Sequence, residues 1–239
     1  AELIDFQSRS EFHRRDPMEL VATGAERSAL LASHGERSFL LFPEDRTRPI
    51  RMVNDLPFLW IERGPSDAFA GTAKRNEFYV FQIGVFASQA DLEDIRVEMD
   101  MGALPIRCIN TGGKDWLGRP FDKTVTVPKG TVQALWFGVD VPADQPPGTV
   151  EGVVKIAPRG GPSQSVAVSL TVEDAVLKDR GDSELWRMSR IRWLDSTVGL
   201  DDTVTAPYTP LVVDDNTIRC LGRTLTTSAT GLPQSITAG

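Results

Sequence analysis

Residues 184–197, ELWRMSRIRWLDST, gather two tryptophans, three arginines and an aspartate in a chain with five tryptophans in all. Sugar sites set aromatic faces against apolar sugar surfaces and use arginine and carboxylate groups to bond hydroxyls. Trp186, Arg190, Trp193 and Asp195 supply those types. The same stretch places Leu185, Met188 and Ile191 three residues apart, as in a short amphipathic helix docked on a larger body. If its end were extended, Arg190, Arg192 and Leu194 would share one face, with Ile191, Trp193 and Asp195 on the other. Aromatic residues and arginine are also enriched where protein surfaces meet. A structural inter-domain seam is the expectation here, and a carbohydrate-contacting surface is the alternative.

FPEDRTRPIRM, residues 42–52, sets Glu44 beside Asp45 among Arg46, Arg48 and Arg51. Glycosidases use two carboxyl groups as acid and base or nucleophile, held roughly 5–10 Å apart across the scissile bond. Adjacent strand residues point to opposite faces, so this pair does not converge on one bond, and an arginine–carboxylate network bracing a loop is expected. CINTGGKDWLGRP, residues 108–120, has the composition of a compact loop, with Trp116 expected to cover one end of a sandwich and a binding role as the alternative. Its lysine lacks the spacing of a phosphate-binding loop. Asp201, Asp202, Asp214, Asp215 and Asn216 are oxygen donors of the kind calcium takes, but their spacing is not that of an EF-hand, and Asp-Asp-Asn is expected to be a turn.

The only histidines are His13 and His34, and no Cys or His pair has zinc spacing, which argues against a His-based triad or a multi-histidine metal centre. No metal and no cofactor is expected. Cys108 and Cys220 are expected to be separate buried thiols. The net charge is −7 and the pI about 5.0, whereas a nucleic-acid partner needs a cationic footprint. No run of eighteen apolar residues is long enough to cross a membrane as a helix, and AELIDFQSRS shows no signal-peptide pattern.

The elements that must position these residues are mostly strands. GAERSALLASHG, residues 24–35, reads as a short helix with Gly35 at its C-terminal cap. NEFYVFQIGVFA, residues 76–87, is apolar on both alternating faces and predicts a strand covered on two sides. IRVEMDM, KTVTVPKG, TVQALWFGVDVP, GTVEGVVKIAP and QSVAVSLTV follow, separated by PKG, PADQPPG and PRGGP turns. That series predicts an all-β, immunoglobulin- or fibronectin-like antiparallel β-sandwich with a short helical decoration. The expected domains are a sandwich over 1–174, a helical linker over 175–199 capped by Asp182 or Ser183, and the first strands of a second, truncated sandwich over 200–239.

FPEDRTRPIRM, EFYVFQIGVFA (77–87), RCINTGGKDWLGRPF (107–121), VQALWFGVDVPADQPPGT (132–149), LWRMSRIRWLDST (185–197) and APYTPLVVDDNTIRCLG (206–222), in this order, resemble the N-terminal β-sandwich region of large secreted bacterial proteins related to glycoside hydrolase family 123. The resemblance covers nearly the whole chain. It implies sandwich modules that precede a (β/α)₈ barrel, which removes β-linked N-acetylgalactosamine with an adjacent Asp–Glu pair and the substrate's own acetamide. That pair has no matching position in this sequence. The resemblance thus implies a secreted or periplasmic, non-catalytic accessory module whose partner is the downstream catalytic domain of the same polypeptide, with a glycan as a further ligand. An independent carbohydrate-binding module and a glycosidase in its own right are the alternatives.

Overall fold

A computed structural model describes residues 16–201 and 203–238. His13, Asp202 and the first ten residues, considered above, lie outside them. The chain divides into two compact units, one of residues Ala1–Asp115 with Arg119–Ser196, the other of Trp116–Gly118 with Thr197–Gly239.

The first unit is a sandwich of two four-stranded sheets. One sheet is ordered β1 (Leu40–Asp45), β3 (Glu77–Phe86), β8 (Val132–Val141) and β5 (Ile106–Cys108). The other is ordered β2 (Ala68–Arg75), β10 (Gln164–Val176), β9 (Gly148–Ala157) and β4 (Arg96–Asp100). A small hairpin, β6 (Gly112–Lys114) and β7 (Pro120–Asp122), stands apart. Pairing is antiparallel except between β2 and β10, which run parallel. That departs from the purely antiparallel expectation. The chain leaves β2 at Asn76, in the left-handed region with φ 57, and enters the opposite sheet, so β2 pairs with a strand met almost a hundred residues later.

Every residue of β3 is buried, and alternation explains why two cores exist. Tyr79, Phe81, Ile83 and Val85 meet Leu135, Phe137 and Val139 of β8, and Val166, Val168 and Leu170 of β10, between the sheets. Phe81 stacks on Phe69 at 4.7 Å and on Phe137 at 5.0 Å between ring centroids. Each such side chain contributes about 1.5–3 kcal/mol by leaving water. The other face of the β1–β3 sheet is covered by the helical decoration, α1 (Asp16–Glu19), α2 (Gly24–Ser33) and α3 (Phe58–Arg63). Leu30 and Trp60 from these helices join Ile50, Leu56, Leu40, Phe42 and Phe86 in a second core. Trp60 lies flat on Phe42, 4.2 Å between centroids, and a Cβ at Gly84 would come within 2.5 Å of its ring. The start of α2 is fixed by a capping box: Glu26 N–H donates to Thr23 Oγ1, and Thr23 N–H donates back to the Glu26 carboxylate at 2.7 Å. Its C-terminal cap is His34 rather than Gly35.

Residues 185–195 form two 3₁₀ turns, Leu185–Arg187 and Ser189–Asp195, with Met188 left-handed at φ 57 between them. The short helix expected here is therefore a pair of 3₁₀ turns. The amides of Arg187, Met188 and Ile191 each bond a carbonyl three residues back, which is the tighter winding. Neither Asp182 nor Ser183 caps it: residue 184 takes the N-cap position without a side-chain bond.

In the second unit β11 (Val212–Asp214), β12 (Thr217–Cys220), β13 (Arg223–Thr227) and β14 (Pro233–Ala238) form an antiparallel meander. Asp215 sits in the first turn at φ 45; Leu221 and Gly222, at φ 46 and 72, make the second. Val213 opposes Ile218, which opposes Leu225, which opposes Ile236, so one face carries an apolar ladder. Asp214, Thr217, Thr226 and Ser235 form the matching polar row on the other face. None of the described residues of this unit is buried.

Candidate functional site

The most heavily charged interior position is Glu77, at the start of β3 and fully buried. It accepts from Arg46 Nη1, from the backbone N–H of Lys74 at 2.7 Å, and from Arg187 Nη1 at 3.1 and 3.3 Å. Both arginines are themselves buried. The Arg46 guanidinium lies 4.4 Å from the Tyr79 ring centroid and 5.0 Å from that of Trp186, while Arg187 lies 4.4 Å from Trp186. Trp186 is therefore held by cation–π contacts over a buried ion cluster, and it remains 43% exposed. A buried carboxylate demands such partners, since an unpaired charge in the interior costs several kcal/mol. Sequence reasoning singled out Arg46 and Trp186 but missed Glu77 and Arg187. The one visible sign was a carboxylate opening an otherwise apolar strand.

The rest of the tryptophan–arginine stretch forms a second, separate cluster. Arg192 grips both oxygens of Asp182, and that pairing holds the Asp182 carboxyl below the usual carboxylate range while raising Arg192. Arg190 Nε donates to the Asp182 carbonyl at 3.0 Å, and its guanidinium lies 5.3 Å from the Trp193 centroid. Asp195 accepts from Arg107 and from the Lys114 backbone N–H at 2.9 Å. Arg107 also donates to the Arg192 carbonyl at 3.2 Å and lies over Phe78. Ser189 Oγ donates to the Phe78 carbonyl at 3.0 Å. The 3₁₀ segment is thus a strap laced to β3, β5 and the β6–β7 hairpin. Asp195 holds that lacing, and Trp193, 53% exposed, lies outside it.

Trp116 is not the plug expected of it. Asp115 and Arg119 close the β6–β7 loop by an ion pair at 2.7 Å, and Trp116 stands between them 79% exposed. The compact part of that region is the Asn110 turn, whose Oδ1 accepts the Trp136 N–H at 2.7 Å.

Glu44 and Asp45 diverge on the two faces of β1. Glu44, buried, accepts from Trp60 Nε1 at 2.8 Å and Arg63 Nη1 at 2.9 Å. Asp45 accepts from Thr47 and, at 3.0 Å, from the Tyr79 hydroxyl, whose own ionisation is pushed far up by burial. The arginine–carboxylate network is present, with Arg48 3.8 Å from Glu44 as expected and the other partners changed: Arg46 turns to Glu77, Arg63 serves Glu44, and Arg51 pairs with Glu19 at 3.7 Å. Among the described residues no group of three His, Cys, Asp or Glu side chains could hold a metal ion. Both cysteines are free: Cys108 is buried, which pushes its thiol up, whereas Cys220 is half-buried rather than buried.

No protein-family model and no curated protein matches the chain. Among solved structures it is similar to a family 123 glycoside hydrolase from Clostridium perfringens, at 10% identity and TM-score 0.43, over 59% of this chain and 28% of that one. A GH5 xyloglucanase from Bacteroides ovatus is similar over 45% of this chain and 17% of its own length, at 9% identity and TM-score 0.28. The N-terminal domain of PorA is similar over 56% of this chain and 97% of its own length, at 13% identity and TM-score 0.32. The chain therefore spans less than a third of the glycoside hydrolases it matches.

Proposed function

We propose that this chain is a non-catalytic β-sandwich module of a secreted, carbohydrate-degrading polypeptide, bracing that polypeptide's catalytic domain. The observation that carries the reading is the state of the reactive side chains. Glu44, Glu77, Asp182 and Asp195 each accept hydrogen bonds from arginine, and Glu44 and Asp45 point to opposite faces of β1. A glycosidase needs two carboxyl groups facing each other across an open cleft, and these groups are engaged elsewhere. The family resemblance of the sequence supplies the carbohydrate context. The test is direct: the purified chain is incubated with p-nitrophenyl glycosides, including the β-N-acetylgalactosaminide, and release is compared with heat-denatured protein. No excess release is expected. Turnover that disappears in Glu44→Gln or Asp45→Asn variants would make the chain a glycosidase in its own right.

A second reading, an independent carbohydrate-binding module, is favoured by a separate observation. Trp116, Trp186 and Trp193 expose 79%, 43% and 53% of their surface, and exposed tryptophans are the aromatic platforms that sugars use.

A further inference from the structure

The depression beside Trp186 holds groups that the strap does not use. It measures about 430 Å³, and Arg46, Thr72, Lys74, Glu173, Trp186 and Arg187 line it. Recognition sites for small ligands begin at roughly 300 Å³ and place a few convergent polar groups against an apolar wall. Glu173 and Lys74 are register partners on β10 and β2, yet neither the ammonium nor the carboxylate has a partner among the described residues. Directly after Glu173 the β10–β2 register shifts, an irregularity that re-aims side chains beside sites. Nη1 of Arg46 and of Arg187 is committed to Glu77, while no described residue accepts a hydrogen bond from Nη2 of either or from Arg46 Nε.

Charge selects the ligand. Three cations, Arg46, Lys74 and Arg187, and two carboxylates, Asp45 and Glu173, line the wall, and the buried Glu77 beneath it accepts from both arginines, so the charges nearly cancel. An anion would meet Glu173 and Asp45 at close range, whereas a neutral polyol can accept from the cations and donate to the carboxylates. We propose that this depression binds one neutral pyranose residue of a glycan. Lys74 and Glu173 bond neighbouring hydroxyls, and the Trp186 indole packs against the C–H surface. The assignment rests on the carbohydrate-binding reading and gives it a site.

The test follows the indole N–H signals of the ¹⁵N-labelled chain, with the Trp186 signal identified by its loss in Trp186→Phe. The chain is titrated with methyl β-glucoside, methyl β-galactoside and methyl β-N-acetylgalactosaminide, and separately with glucuronate and inorganic sulfate. At least one neutral glycoside is expected to shift the Trp186 signal saturably. Its affinity should fall at least tenfold in Lys74→Ala and in Glu173→Ala, both keeping the buried Trp60 signal in place. A silent Trp186 across the neutral glycosides overturns the proposal, as does a response confined to glucuronate or sulfate, or one undiminished in both variants. If Trp116 or Trp193 responds while Trp186 does not, this site is wrong and the carbohydrate-binding reading survives. If no indole responds, both fall.

Discussion

The two units put similar side chains to opposite uses. In the sandwich, Phe81, Ile83 and Leu135 lie between two sheets, and Leu40, Phe42 and Trp60 lie between a sheet and helices. In the meander, Val213 and Ile236 occupy a ladder of the same chemistry but are 67% and 71% exposed. Alternation along a strand creates an apolar face in both, but only a covering layer turns that face into stabilisation. The difference teaches where folding free energy resides: in the first unit, with little contributed by the second.

Paired substitutions break or sharpen that contrast. The largest effect is expected for Phe81→Ala, which removes stacks on Phe69 and Phe137 and should cost about 3–5 kcal/mol in urea denaturation. Leu225→Ala, in the ladder, should cost under about 1 kcal/mol by the same assay, since Leu225 is itself only half-buried and its ladder partner Ile236 is exposed. Next comes Arg187→Ala, which leaves Glu77 buried with one guanidinium fewer and should cost about 3 kcal/mol. Its counterpart Arg219→Ala, at an exposed 3.9 Å pair with Asp214, should stay within about 0.5 kcal/mol.

A smaller effect is read from pH. The Asp182 carboxyl is depressed in the folded chain, so its pairing with Arg192 stabilises above the ordinary carboxylate range and is lost as pH falls through the folded-state value. Asp182→Asn should therefore lower stability at neutral pH and flatten its decline below about pH 4, near the unfolded carboxylate value. The smallest perturbation is chemical. Cys220, partly exposed, should react with a thiol reagent in the native state, while Cys108 should react only after unfolding. Equal reactivity would erase the contrast between the units.

Much of the fold was legible because it depends on local pattern. The two-sided burial of β3 followed from apolar residues at both parities, and the proline–glycine turns separated β8, β9 and β10. What stayed hidden depends on distance along the chain. The parallel β2–β10 pair joins residues about a hundred apart, and Glu77 meets partners 31 and 110 residues away. No window of sequence reports such meetings. The 3₁₀ winding was missed for a different reason: its apolar spacing of three fits either helix type, and the left-handed Met188 between the turns has no sequence mark. For the candidate site, residue types pointed to the right stretch, but Trp186 and Trp193 divide between two arginine clusters rather than forming one platform.

Native-state hydrogen exchange, read amide by amide, tests the central claim most directly. The account predicts that β3, β8 and β10 amides exchange only through global unfolding, with the Trp186 strap close behind, while β12 and β13 amides exchange through local opening at a clearly lower free energy. Equal protection of β12–β13 and β3–β8 would contradict it, because the meander would then share the stability assigned here to the sandwich.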